Sequence, residues 1–176
     1  MNKIYLRSSI RISCLVALGM VLLFLDFFSK AYVHELLSIK DGCTSAYCLG
    51  IPVFYDFFGI NFQISLAINK GAAWGVLADF QGLLLILRIA VIFGILVYLF
   101  FFNRNPRVDL PLVFITAGAV GNVLDYFLYG YVVDFLNFSF WGYHFAIFNL
   151  ADSFITIGVA WLFILGLFTR KKKSIA

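Results

Sequence analysis

Four long apolar runs divide the chain, and more polar stretches separate them. They cover about Ile10 to Phe28, Gly82 to Phe102, Leu110 to Tyr129 and Ala151 to Phe168. A helix needs about 20 mostly apolar residues to cross a bilayer, so each run predicts a membrane-spanning helix. Pro106 and Pro111 flank the start of the third run, where a helix tolerates proline. Arg170, Lys171, Lys172 and Lys173 close the fourth. A different pattern appears between the first two runs. "INFQISLAIN" places Ile60, Phe62, Ile64, Leu66 and Ile68 on one face and Asn61, Gln63, Ser65, Ala67 and Asn69 on the other. Period-two alternation predicts a half-buried strand. "IPVFYDFF" just before it can pair with it as a second strand. The expected fold is membrane all-α: a four-transmembrane-helix bundle with a small external β-sheet, a cradle, between helices 1 and 2. It forms a single domain over residues 1–176, with external segments at about 29–81 and 130–150.

Composition agrees. The chain is 63% hydrophobic and 12% charged, whereas a soluble domain is about half apolar and a quarter charged. Charge adds direction. Lys3, Arg7 and Arg11 lie before or at the first run, Arg104 and Arg107 between the second and third, and the last cluster after the fourth. With four spans these places share one side, which the positive-inside rule makes cytoplasmic. Both termini are then cytoplasmic, in a multi-pass membrane protein. The basic residues flank apolar spans, so they are topology signals and not a nucleic-acid patch. The first run has no small-x-small cleavage site before Asp26 and reads as a retained anchor. Cys14 lies in an apolar run and reads as a packing residue. Cys43 and Cys48 share a polar segment, and whether they pair stays open, because spacing alone does not fix a disulfide. His34 and His144 have no ligand spacing and read as interfacial or structural, so no metal and no cofactor is expected.

This topology gathers acids. Asp26, Asp125, Asp134 and Asp152 fall at one level near the outer interface, four of the chain's nine acidic residues. An aspartate deep in a membrane helix costs ~2.5–3.5 kcal/mol, against a domain stability of ~5–15 kcal/mol, so a cluster asks for a reason. Each acid has a structural reading. Asp152 opens the fourth helix and can be its N-cap. Asp26 and Lys30 are spaced i,i+4 and can pair. Asp125 can bond a neighbouring helix. Asp134 has no basic neighbour in sequence. Together, two close carboxylates can share a proton, one taking a proton from water while the other polarises a carbonyl. Asn122 and Asn149 stand three residues before Asp125 and Asp152 and can orient them. Gly118 and Gly121 allow close helix approach, and Asn69 to Gly75, which includes Gly71, forms a turn of small residues. Three readings remain at this point: a peptidase, a proton- or ion-coupled transporter component, and a structural membrane protein whose acids only cap and pair.

The residues also carry a likeness. "DFFSK" (Asp26–Lys30), "NKGAAWG" (Asn69–Gly75), "GAVGNVLDYFLYGYVVDFLNF" (Gly118–Phe138) and "FNLADSFITIG" (Phe148–Gly158) resemble, in order, the motifs of the lipoprotein signal peptidase family, also called signal peptidase II. The resemblance implies an intramembrane aspartyl endopeptidase that removes the signal peptide from diacylglyceryl-modified prolipoproteins, cutting before the lipidated cysteine. It implies Asp134 and Asp152 as the catalytic pair, with Asp26, Lys30, Asn69, Gly71, Gly118, Asn122, Asp125 and Asn149 supporting or lining the site. It further implies the bacterial inner membrane as the location, membrane lipid and globomycin-type inhibitors as partners and a monomer as the working form. Four positions depart from the family pattern: Phe27, Lys70, Trp74 and Tyr126, the last where the family usually carries arginine. The expectation is that Arg88 or Lys70 takes over part of that missing charge.

Overall fold

The computed structural model describes residues 2–40, 47–71 and 78–173. Its helices are α1 (Asn2–Lys40), α2 (Gln81–Val97), α3 (Asp109–Tyr129) and α4 (Leu150–Lys173). Four stretches are long and apolar enough to cross a membrane: Ile10–Leu37, Gln81–Phe102, Pro106–Tyr129 and Leu150–Phe168, the second taking in the turn that follows α2. Between them run β1 (Tyr47–Phe57), β2 (Ile60–Asn69), β3 (Val132–Phe140) and the short β4 (Tyr143–His144).

The first helix runs well past Phe28, the end that its apolar run suggests. The polar residues that mark an exit are instead satisfied inside the protein. Lys30 is fully buried among carboxylates. His34 shares a 2.9 Å hydrogen bond with the Tyr131 hydroxyl and stacks on Tyr129. Val33 and Leu37 then enter a cluster with Leu66, Val133 and Phe135. That cluster joins the helical bundle to the sheet.

The sheet is antiparallel, in the order β1-β2-β3-β4. It is therefore not built only from the segment between helices 1 and 2: half of its strands come from residues 132–144, between α3 and α4. The strand β3 escapes the alternation rule because its two faces are both covered. Val132 to Phe135 are all buried, with Val133 and Phe135 against α1 and Asp134 turned to the opposite face. A run apolar on both faces does not announce its period.

Two tight turns end the sheet. Phe58 and Gly59 both have positive φ, as do Trp141 and Gly142, the two-residue hairpin geometry that matches strand twist. The Trp141 N–H donates to the Gly59 carbonyl at 2.7 Å, so the tips lie side by side. Phe58 is 80% exposed and Trp141 78%.

At the centre of the bundle is α3, which buries eleven residues, more than any other helix among the described residues. Small residues set its contact with α4: a Cβ at Gly118 would stand 2.3 Å from the Ala151 carbonyl oxygen, and one at Gly158 would stand 2.6 Å from that of Pro111. Gly130, at φ 79°, ends α3 by donating to Tyr126 O. By contrast, α2 buries no residue.

Cys14 is exposed on α1. It is not the packing residue that its apolar setting suggested. Cys43 lies outside the described residues, as does the side chain of Cys48, and with them the question of their pairing.

Candidate active site

The site starts from one buried cation. Lys30 of α1 has its Nζ 2.7 Å from Asp26 Oδ2, 2.8 Å from Asp125 Oδ2 and 3.0 Å from Asn122 Oδ1. The i,i+4 pair read from the sequence is present, but it is part of a larger arrangement. Asp26 Oδ1 accepts the Ala151 N–H at 2.8 Å, which ties α1 to the first turn of α4. Asp26 Oδ2 has the ion-pair contact with Lys30 but no hydrogen bond. Asp125 also accepts the Val133 N–H at 3.1 Å, which ties α3 to β3. Breaking a buried pair of this kind leaves an uncompensated charge, so the three residues hold each other in place.

Two asparagines carry the network outward. Asn122 Nδ2 donates to Asp152 Oδ1 at 2.8 Å. Asn149 Nδ2 lies 2.7 Å from Asp134 Oδ1, 3.1 Å from Asn122 Oδ1 and 3.2 Å from Val133 O. A third amide, Asn69 Nδ2, donates to Asp134 Oδ2 at 2.8 Å. Asn69 Oδ1 in turn accepts the Gly71 N–H at 2.9 Å, so the turn after β2 is fixed to the site. The two aspartates are thus held by amides that also hold one another.

The start of α4 corrects one sequence reading. Asp152 is not the N-cap. Asn149 is: its Oδ1 accepts the Asp152 N–H at 2.9 Å, while Asp152 Oδ2 accepts the Asn149 N–H at 3.3 Å. This is a reciprocal capping box with Asp152 at its third helical position. It leaves Asp152 Oδ1 for Asn122 and sets the carboxylate at the positive end of the helix dipole.

A bulge puts Asn69 on the right face. Ile64 pairs with Leu136, but Ala67 pairs with Asp134, so Ser65 and Leu66 together oppose Phe135. Strict alternation would put Asn69 opposite Ile64, on the polar face. The extra residue shifts Ala67 and Asn69 onto the face that carries Val132 and Asp134. Bulges of this kind re-aim side chains next to sites. The displaced Ser65 is buried and accepts from Asn137 Nδ2 at 3.1 Å.

Burial separates the two acids. Asp134 is 2% exposed, and its pKa is pushed up to about 7, chiefly by burial and then by the charge of Asp152; the amides of Asn69 and Asn149 and the Lys30 ammonium pull the other way. Asp152 is only partly buried. Four carboxyl groups here face one buried ammonium, Lys30, among the described residues.

All ten residues singled out from the sequence fall in or beside this cluster, although not always as expected. Gly118 is the close helix contact that its size suggested, packed on α4, and does not line the acids. The glycine nearer the acids is Gly121, where a Cβ would stand 2.5 Å from Asp26 Oδ2. The charge on Asp125 is met by Lys30 and not by Arg88 or Lys70. Arg88 donates to the Gly71 carbonyl at 3.2 Å, while Lys70 is exposed. Trp74 lies outside the described residues. The backbone donors Ala151 N–H and Val133 N–H were invisible in the sequence, since no side-chain pattern signals them.

A buried cluster of acids, amides and one lysine, at the junction of four apolar helices and a sheet, defines the class: a membrane protein with a polar site inside it. Residues 18–168 match the family model for signal peptidase (SPase) II. The chain is 38% identical over 138 residues to the lipoprotein signal peptidase of Chlamydia pneumoniae, covering 76% of this chain and 79% of that one. It is 33% identical to that of Halothermothrix orenii, covering 87% and 94%. A solved structure described as a bacterial membrane enzyme superposes with a TM-score of 0.76 at 28% identity, over 92% of both chains. The chain belongs to the signal peptidase II family. It is a multi-pass bacterial membrane peptidase.

Proposed function

We propose that this protein is an intramembrane aspartyl endopeptidase that removes the signal peptide from diacylglyceryl-modified prolipoproteins, with Asp134 and Asp152 as the catalytic pair. The observation that carries this reading is the shared amide scaffold: Asn149 bonds both acids, Asn122 and Asn69 each bond one, and Asp134 is pushed up to about 7. Such a pair holds one proton near neutral pH, which we place on Asp134. The names of its relatives support the substrate class.

In this mechanism water lies between the carboxylates. Asp152 takes a proton from it, the hydroxide bonds to the scissile carbonyl carbon, and Asp134 gives its proton to the carbonyl oxygen. A neutral tetrahedral diol results. On collapse Asp152 passes its proton to the leaving nitrogen, the C–N bond breaks and Asp134 recovers a proton from the diol. The amine released is that of the lipidated cysteine. Lys30, Asp26 and Asp125 touch no reacting atom; they position the amides and the first turn of α4.

The site lies toward the external face, with both termini cytoplasmic, as the basic clusters imply. The diacylglyceryl chains stay in lipid while the scissile bond meets the pair. Trp141 and Tyr143, both exposed, anchor the sheet at the interface. The inhibitor globomycin would compete for the same site.

The decisive experiment incubates purified protein in lipid with a diacylglyceryl-modified prolipoprotein and reads product masses. The expected product begins at the lipidated cysteine, and Asp134→Asn and Asp152→Asn each lower its rate by at least about 10²-fold. Full activity in either folded variant rules out the pair.

A further inference from the structure

A second feature runs along α1 and α3, from Arg11 and Asp109 to Leu23 and Val120, within about a turn of Asp26 and Asn122. A cavity of about 400 Å³ opens between α1, α2 and α3. Its wall is apolar and includes Leu15, Val16, Met20, Leu99 and Val113. Val16 is 57% exposed and Met20 62%, so the cavity opens to the lipid side. It exists because α2 buries no residue and stands off α1. The turn that continues α2, Tyr98–Phe102, is a π-helix, a form that costs regular hydrogen bonding and recurs at functional sites. Leu99 and Phe100 of that turn line the cavity.

Its inner end is polar. Arg11, Asn103 and Asp109 line it. Asp109 is buried and accepts from Asn103 Nδ2 and from Arg11. The Arg11 guanidinium reaches Asp109 with Nε and one Nη; its other Nη has no partner among the described residues. Arg104 and Arg107, both exposed, lie on the connection between the lining residues Asn103 and Asp109. Asp109 neutralises one of these three cations, which leaves a positive surplus at the mouth of an apolar crevice at membrane depth.

We propose that this crevice binds one anionic phospholipid, with an acyl chain against Val16 and Met20 and its phosphate at Arg11, Arg104 and Arg107. A crevice at this depth excludes water and fills with hydrocarbon; the basic mouth selects the headgroup. The proposal does not depend on the catalytic assignment and is read without substrate.

The test is native mass spectrometry of delipidated protein offered phosphatidylglycerol or phosphatidylcholine with identical chains. One phosphatidylglycerol is retained, in preference by roughly five-fold or more, the effect of about one basic contact. Val16→Trp, at an exposed position, removes that retention and leaves prolipoprotein cleavage unchanged. The paired change Arg11→Gln with Asp109→Asn keeps hydrogen bonding and brings the two lipids toward equal retention. Equal retention by the native chain, or full retention by Val16→Trp, overturns the proposal. A rise in substrate KM in Val16→Trp also overturns it, because the crevice would then hold the signal segment.

Discussion

Lys30 meets Asp125 at 2.8 Å across the α1–α3 interface, and neither side chain reaches solvent. The same ammonium holds Asp26 at 2.7 Å. Lys30→Met therefore leaves two acids buried without a cation. Loss of one partner from a buried pair costs about 3–5 kcal/mol. Thermal unfolding in detergent is expected to show a loss of this order. Adding Asp26→Asn and Asp125→Asn to Lys30→Met should recover a large part of it, since no charge is then stranded. An unfolding midpoint in the single variant equal to that of the native chain would contradict the ion-pair account.

Gly121 gives a sharper packing test. A Cβ there would stand 2.5 Å from Asp26 Oδ2, the oxygen that pairs with Lys30. Gly121→Ala should therefore cost stability and activity together. Overpacking is typically worth about 1–3 kcal/mol. Gly94→Ala, on α2, meets nothing within 4 Å, and better helix propensity should make it neutral or slightly stabilising. Comparing the two variants by thermal unfolding separates a local collision from any general intolerance of alanine.

The four apolar helices and the convergence of acids were readable because hydropathy and charge position follow from the bilayer itself. What escaped was geometry. The end of α1 was hidden because Lys30 and His34 look like exit signals until their partners Asp125 and Tyr131, more than ninety residues away, are known. β3 was hidden because apolar residues cover both of its faces. The alternation in β2 was real as far as Ile64, but the bulge at Ser65 and Leu66 reverses it for Asn69. Asp152 looked like a cap because it is acidic and opens α4; the residue in the capping position is Asn149. These are contacts between distant segments or shifts of a single residue, and neither leaves a period in the sequence.

Asp134 ties activity and stability to pH. Its usual value is 3.8 and in the fold it is pushed up to about 7. The folded chain keeps a proton there that the unfolded chain has released, so the folded state binds more protons between those values. Stability associated with this group is fully present below 3.8 and is lost as pH rises to about 7, at up to about 1.4 kcal/mol per pH unit. Asp134→Asn should flatten this slope in unfolding measured from pH 4 to pH 8. Cleavage by the native chain should fall above about pH 7, as the pair loses its shared proton. A cleavage rate that keeps rising past pH 8.5 is incompatible with a protonated Asp134.

Asn69 provides a readout that a purely structural role would not move. Its amide donates to Asp134 Oδ2 at 2.8 Å and favours the charged form. Asn69→Ala removes that donor, so the Asp134 pKa should rise further and the alkaline limb of the pH–rate profile should move to higher pH. The rate at neutral pH should fall about ten-fold or more, the order expected for losing a hydrogen bond to a charged group. Arg88→Gln acts one step away, by loosening the Gly71 carbonyl that Arg88 holds. It should lower the rate less and leave the alkaline limb where it is, because no bond to Asp134 is lost. If both variants slow cleavage equally with unchanged pH profiles, Asn69 only shapes the turn, and the bulge that carries it to Asp134 has no catalytic consequence.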